Sequence, residues 1–600
     1  MTTNASIQEI TFVTAYYTIY DQPFLHRTKN WRFDRFREIC QTGIPICIFC
    51  EQESLNEVRE IAYSCPNLYI MNFPQGLAGT EIWKMTKSSE ASKHMPVSSR
   101  EGKDTVDYFI LMNAKAEFVA RAIDANPFRT SKFAWMDFNL SHVFKDTTAS
   151  TNHMRTIAAS QYKDPFLTFP GCWPILDRYD HGVVIDYVHW RFCGGFFVGD
   201  AESLKRFYGL YLTHYPRFLE TYQAVSWEVN FWAWLEVQEP EWRPTWFPAD
   251  HNDSIIRIPV DFLARPLNAH QENEGKGAQR EVIQGLLELP GYHPGSIAYV
   301  RDRRSGRHYA NIRYINYKIL DNGVYYFPGS DATIRTQNVF AELGRGRGRG
   351  EGGAFGAPWT IQQIYCMTEQ EIGLPANPTT NCVGIEDIRL YDTPEGVLRF
   401  SANSVNYSDN GRNKMIEGLY DTETRSFRDA RILDAPTDTW LEKNWIPLGD
   451  TKNTYIYSWN PYKIGVVNPE TNRLEIVKEV NIANPLFDKF RGSSIFVADP
   501  RTPNSLIGVV HLSEEGSPRR YYHALVRLDR ESLSPTGVSE LFYFEKRGIE
   551  FCIGFAVVEG DGEGKGGSDG EYHFWISRMD RDPVLWRVKQ GLIRWSGNKI

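Results

Sequence analysis

Three things are missing from this 600-residue sequence, and each absence removes a class of function. No apolar run is long enough to cross a bilayer, and residues 1–8, MTTNASIQ, carry no apolar signal core. The expectation is a chain with no transmembrane segment acting in the cytoplasm, with peripheral membrane attachment left open. Basic residues are not in excess. The formal net charge is −8, which argues against nucleic acid as a partner. A second CxxC motif is also lacking. Cys47 and Cys50 form the only one, inside a strand-like run where alternation points the two thiols to opposite faces. A paired-motif zinc site is therefore not expected, and the nine cysteines read as reduced core residues.

What is present points to several domains. The length exceeds what one core sustains, so two or three are expected. Seventeen Trp and 31 Tyr fit either large β-rich cores or carbohydrate handling, in which rings stack on the CH faces of sugars.

Through residue 262 strand and helix patterns alternate. Strand-like runs lie at 11–17 (TFVTAYY), 45–51 (PICIFCE) and 68–71. Helical patterns start at Thr28 and Leu55, and another carries Phe109, Met112, Ala116, Val119 and Ile123 before Pro127. Residues 88–104 are polar and read as a loop. This order predicts a parallel sheet with crossover helices.

The central stretch is KFAWMDFNLSH, residues 132–142. Read as a buried strand, it projects Asp137 and Asn139 on one side at its carboxyl end, where open α/β sheets bind ligands. Oxygen donors there suit a divalent cation on a sugar diphosphate, although Asp-Phe-Asn is a weaker pair than two carboxylates. Gly194 and Gly195 interrupt the hydrophobic run VHWRFCGGFFVGD, marking either a close approach or a bulge. Ser226 reads as the N-cap of a helix on which Glu228 either steadies the first turn or works chemically. Residues 246–253 (WFPADHND) either touch metal or diphosphate or only turn the chain.

Taken in order, TFVTAYY, WMDFNLSH, RFCGGFFVGD and SWEVNFW resemble the HtrL/YibB-like family of bacterial proteins over about the first 260 residues. The resemblance implies a GT-A-like glycosyltransferase domain using a UDP- or GDP-sugar. It puts Asp137 and Asn139 at a manganese or magnesium diphosphate site, with Asp250 and His251 as further ligands and His142 nearby. Gly194 and Gly195 would lie against sugar or acceptor, and Thr14, Tyr16 and Trp227 would join them in binding substrate. Asp137 and Glu228 would be the catalytic pair. Glu228 would be the base of an inverting displacement, or an orienting group in a retaining one.

Residues 263–290 read as a linker, polar through 276 and with a short helix over 280–289. From 291 to 600 short alternating strands and turn signals predict an all-β sandwich, barrel or propeller. Polar clusters interrupt the strands: Arg313 and Asn316; Glu386, Asp387 and Arg389; Glu442, Lys443 and Asn444; His511; and Glu550. With the strings IEDIRL, EKNW and IEF, they resemble the five-bladed β-propeller domains related to GH130 mannoside phosphorylases and hydrolases. Three roles remain open for them: a satisfied buried network, a glycan-binding pocket, or a live glycosidase or phosphorylase site. Two glycine-rich inserts, 344–356 and 560–570, read as loops. The expected function is transfer of a sugar from a nucleoside diphosphate to a glycan or other hydroxyl acceptor, the propeller binding carbohydrate. The alternatives are hydrolysis or phosphorolysis by the propeller, and non-catalytic glycan binding.

Overall fold

The computed structural model describes the whole chain except residues 1–8, 20–27, 101, 161, 163, 177–178, 268–276, 330, 346–357, 409, 450, 452, 560–569 and 596–600. Most of the polar linker and both glycine-rich inserts therefore fall largely outside the described residues, as does the amino-terminal stretch. Two compact units are present, Met1–Leu263 and Ala264–Ile600.

Unit 1 is α/β. In order it runs β1 (Ile10–Tyr16), α1 (Lys29–Cys40), β2 (Ile46–Cys50), α2 (Leu55–Ser64), β3 (Leu68–Ile70), α3 (Glu81–Ser88), α4 (Val106–Asn113) and α5 (Lys115–Ala125). Then come β4 (Lys132–Met136), α6 (Thr147–Ala159), β5 (Leu167–Gly171), β6 (Phe196–Asp200), α7 (Ala201–Tyr222), α8 (Glu228–Gln238) and β7 (Thr245–Pro248). The strand order is β3-β2-β1-β4-β6-β5-β7. The sheet is mixed rather than parallel, because β6 runs antiparallel to both β4 and β5.

Alternation along each strand feeds two cores. Phe133 and Trp135 of β4 enter one layer, whereas Ala134 and Met136 enter the other. Cys47 and Cys50 divide in the same way, as expected of residues an odd number apart. Thr28 caps α1, its hydroxyl accepting from the Trp31 amide, and Asn126 closes α5 in the left-handed conformation that asparagine tolerates. Not every cysteine is core: Cys366 is exposed, and Cys50, Cys172 and Cys382 are half-buried.

Unit 2 is mostly β, a ring of sheets resembling a propeller. Four sheets follow a regular antiparallel four-strand path. The first runs His293–Arg301, His308–Ile315, Ile334–Arg345, Trp359–Cys366. The second runs Glu386–Asp392, Leu398–Ser404, Lys414–Asp421, Ser426–Leu433, and the third Ile446–Pro447, Thr454–Trp459, Tyr462–Val467, Leu474–Val480. Glu550–Val558, Glu571–Arg578 and Arg581–Lys589 make another, completed by Ala278–Val282 from the start of the unit. Five blades were expected; among the described residues four regular ones are present. The other sheets are an irregular seven-stranded one built on Ser505–Glu514 and Arg520–Asp529 and a two-stranded one, Lys318–Ile319 with Tyr325–Tyr326. Neighbouring sheets pack in sequence order, and the last packs on the first. Ala278–Val282 also corrects the helix expected over 280–289. Pairing with Val584–Val588 supplies backbone partners that a lone short helix would lack. Among the described residues no helix is long and apolar enough to cross a membrane.

Candidate ligand site

The register brings the carboxyl ends of β1, β4, β5 and β7 to one sheet edge, together with the start of β6. A cavity of about 360 Å³ lies there. Tyr16, Asp137, Asn139, His142 and His251 line it, joined by Tyr17, Tyr108 and Trp135. Three cations that sequence reasoning missed also line it: Arg32 from α1, and Arg100 and Lys103 from the polar segment before α4. That segment was expected to be a loop; its cations now have a location.

Behind Asp137 sits a lysine that no motif announced. Lys115 is the first residue of α5, placed there by a one-residue break at Ala114 between α4 and α5. Its side chain is 1% exposed, with Nζ 3.0 Å from Asp137 Oδ1 and 2.7 Å from Glu228 Oε1. It donates a third hydrogen bond to the Gly194 carbonyl at 2.8 Å, so all three ammonium protons are used. Burial disfavours the charge, yet the two carboxylates hold the lysine pKa above its ordinary value. Asp137 Oδ1 also accepts from Trp135 Nε1 at 3.0 Å, which fixes the carboxylate while its side chain stays 37% exposed to the cavity.

Glu228 is a different case. It opens α8 but is 5% exposed and does not line the cavity. The carboxylate expected as the base is thus the buried counter-ion of Lys115, away from the cavity lining. Trp227, also expected at the substrate, is the N-cap of α8 and is buried edge-on against Phe109. Ser226 bonds the Val184 carbonyl instead of capping.

Thr14 is fully buried and lies off the cavity. Asp137 and Asn139 follow the strand rather than extending it, since β4 ends at Met136. Gly194 and Gly195 likewise precede β6. Close approach is what they serve. A Cβ on Gly194 would overlap the Glu228 carboxylate, and one on Gly195 would come within 3.1 Å of Ile255 Cδ1. His142 is exposed, its Nδ1 2.8 Å from the Asn139 carbonyl.

Asp250 does not line the cavity; its carboxyl is held below the usual range by the His251 amide. His251 packs edge-on against Trp190 and clusters with Cys172 and Cys193 rather than with Asp137.

Unit 2 gathers a second polar group. Arg313 pairs with Glu386 and lies 3.5 Å from Asp387. Asp580, another carboxyl that sequence reasoning missed, accepts from Tyr317 at 2.9 Å and feels the charges of Arg313, Asp387 and Lys443. Burial raises the Glu386 and Asp580 carboxyls above their ordinary range, against the pull of Arg313. Asp387 and Asp580 both hold positive φ, 51° and 52°, a backbone state that aspartate tolerates better than most residues.

The other expected pocket residues are mostly tied up in structure. Asn316 bridges the Thr333 carbonyl and the Arg335 amide. Arg389 is buried and donates to the Asp387, Gly492 and Ser493 carbonyls and to Asn444. Glu442 accepts from Trp445 and Thr439. His511 pairs with Ser493, and burial pushes its pKa well below the usual histidine value. Glu550 accepts the amides of Phe544, Glu545 and Lys546.

A family model described as a bacterial protein of unknown function (HtrL_YibB) matches residues 86–224. Two of the four motifs, WMDFNLSH and RFCGGFFVGD, fall inside that span. No curated protein matches. Solved structures align only loosely. A hypothetical protein from Leishmania major is 12% identical, with 55% of this chain and 98% of that one covered and a TM-score of 0.30. An α-L-arabinofuranosidase from Podospora anserina in complex with cellotriose is 8% identical (52% and 97% covered, TM-score 0.27). A 4-diphosphocytidyl-2C-methyl-D-erythritol synthase from Anaerococcus prevotii is 10% identical (43% and 96% covered, TM-score 0.21). Likeness at this level carries no argument about activity.

Proposed function

We propose that unit 1 is a glycosyltransferase that takes a sugar from a nucleoside diphosphate and passes it to a glycan or other hydroxyl acceptor. One observation carries the reading: a cavity at the carboxyl end of the strands combines an anchored, solvent-facing Asp137 with Arg32, Arg100 and Lys103 and with tyrosine rings. Breaking the bond from the sugar to the diphosphate leaves negative charge on phosphate oxygen, and three cations oppose it. The rings of Tyr16, Tyr17 and Tyr108 suit a base or a sugar face.

A divalent cation, manganese or magnesium, fits the donor set in a limited way. Asp137 Oδ1 already serves Lys115 and Trp135, so Oδ2 and the Asn139 amide oxygen would hold it, with the diphosphate completing the shell. When bound, such a cation would neutralise diphosphate charge. Lys115 and Glu228 position Asp137 from behind.

A thermal-shift screen of UDP-, GDP-, CMP- and dTDP-sugars, with and without manganese, tests this. One nucleotide should raise the melting temperature of the wild-type chain and leave Asp137→Ala unmoved. No shift with any nucleotide, or an undiminished shift in the variant, would overturn the reading.

A second reading concerns unit 2, taking the irregular sheet as a fifth blade around a carbohydrate site. Raised carboxyls beside Arg313 are the arrangement a general acid and an anion holder need. Phosphate-dependent release of a sugar phosphate, lost in Asp387→Ala, is the outcome it requires. Binding of glycans without turnover would leave unit 2 a binding module.

A further inference from the structure

Beside the cavity, three loops of unit 1 bring together side chains that no motif links. Cys172 follows β5, Cys193 precedes β6 and His251 follows β7, so all three stand at the same sheet edge. Their ligand atoms lie within 4.8 Å of one another. The two sulfurs are 3.8 Å apart. That is far beyond the roughly 2.05 Å of a disulfide. It is the edge of a tetrahedron whose centre lies about 2.3 Å from each sulfur, the usual zinc–thiolate distance. Asp250 stands next to the group, its Oδ1 3.9 Å from Cys172 Sγ and 3.4 Å from His251 Nδ1. Trp190 packs on the imidazole at 4.1 Å between centroids and fixes its plane.

We propose that Cys172, Cys193 and His251 form a zinc-type metal site, with Asp250 nearest the fourth position. Two sulfurs and one imidazole nitrogen select zinc over the oxygen-preferring manganese or magnesium of a sugar-diphosphate site. The site is therefore separate in chemistry from the Asp137 position, although His251 borders the same cavity. Its role is structural. One ion joins the loops after β5, before β6 and after β7, and so holds the cavity rim that the strands alone do not cross-link.

The test uses the full reduced chain and zinc alone. Zinc content after dialysis should approach one ion per chain, and zinc should raise the melting temperature. Cobalt substituted for zinc should give the near-ultraviolet thiolate charge-transfer band and the visible bands of a tetrahedral centre. Cys172→Ser and Cys193→Ser should each lose the charge-transfer intensity and most of the zinc, and Asp250→Ala should weaken binding by about tenfold. Cys366→Ser, at an exposed thiol in unit 2, should keep both. Because a serine variant could fail to fold, the wild-type cobalt spectrum stands as an independent arm. The proposal is overturned by wild-type chain that holds well under one-tenth of an equivalent of zinc. Cobalt spectra without a thiolate band, or thiols trapped at purification as a Cys172–Cys193 disulfide, would overturn it equally.

Discussion

Lys115 in unit 1 and Arg313 in unit 2 each sit among acidic side chains, and the two surroundings differ in how directly the cation meets them. Lys115 is sealed, its three protons spent on Asp137, Glu228 and the Gly194 carbonyl. Arg313 is more open, 11% exposed, and answers to Glu386, Asp387 and Asp580 together. Burial raises the Glu386 and Asp580 carboxyls against the pull of Arg313. At Lys115 burial works against the charge, and the two carboxylates bonded to it outweigh that.

Removing the cations should expose this difference most sharply. Lys115→Met leaves two carboxylates facing each other, one of them buried, and should cost unit 1 about 3–5 kcal/mol in urea unfolding of the full chain. Arg313→Met should cost less, about 1–2 kcal/mol near pH 6, because its acids can neutralise, and the cost should grow as pH rises. Equal losses in the two variants would dissolve the distinction.

The pH dependence of unit 2 comes next in size. Burial pushes the fully buried Glu550 up to about 7 from an ordinary 4.5, despite three backbone amides that favour its ionised form. Between those values the folded state keeps a proton that the unfolded state has released. Its stabilising share is therefore complete below pH 4.5 and lost as pH climbs through 7, a change of about 3 kcal/mol. Melting of unit 2 should fall over that window, and Glu550→Gln should flatten the slope even if it lowers the level. A slope unchanged by the substitution would assign the proton elsewhere.

Smaller effects probe how tightly unit 1 is built around its lysine. Gly194→Ala drives a methyl group into the Glu228 carboxylate and should cost about 1–3 kcal/mol, read by thermal melting. Arg100→Ala and Lys103→Ala should change stability by no more than about 0.5 kcal/mol while reducing the nucleotide-induced melting shift. Loss of stability without loss of that shift would make these cations structural, and the cavity would no longer contrast with the Arg313 group of unit 2.

Legibility followed distance along the chain. The run KFAWM shows its strand in five residues, whereas the string 191–200 left close approach or a bulge open for its glycines, and the fold decided for close approach at Gly194. Lys115 left a faint local sign: with Asn113 and Glu117 it is polar in an otherwise apolar helical stretch, and all three prove buried. Nothing local marked Glu228 as its partner, since that pairing depends on how α8 meets α5. The grouping of His251 with two cysteines had no local mark for the same reason. The turn after β7 delivers His251 to Cys172 and Cys193, while Asp250 stays at the surface.

By itself the sequence determined the change from alternating helices and strands before about residue 262 to short strands from about 291, the parallel start of the sheet, and a polar group at the end of β4. Those follow from periodicity and turn residues, which act over a few positions. Only the tertiary structure decided that β6 runs antiparallel, that one sheet of the ring is irregular and closing strands come from its start, and which charges meet. Register and packing join residues scores of positions apart, and a buried charge takes its partner from whatever the fold brings within 3 Å.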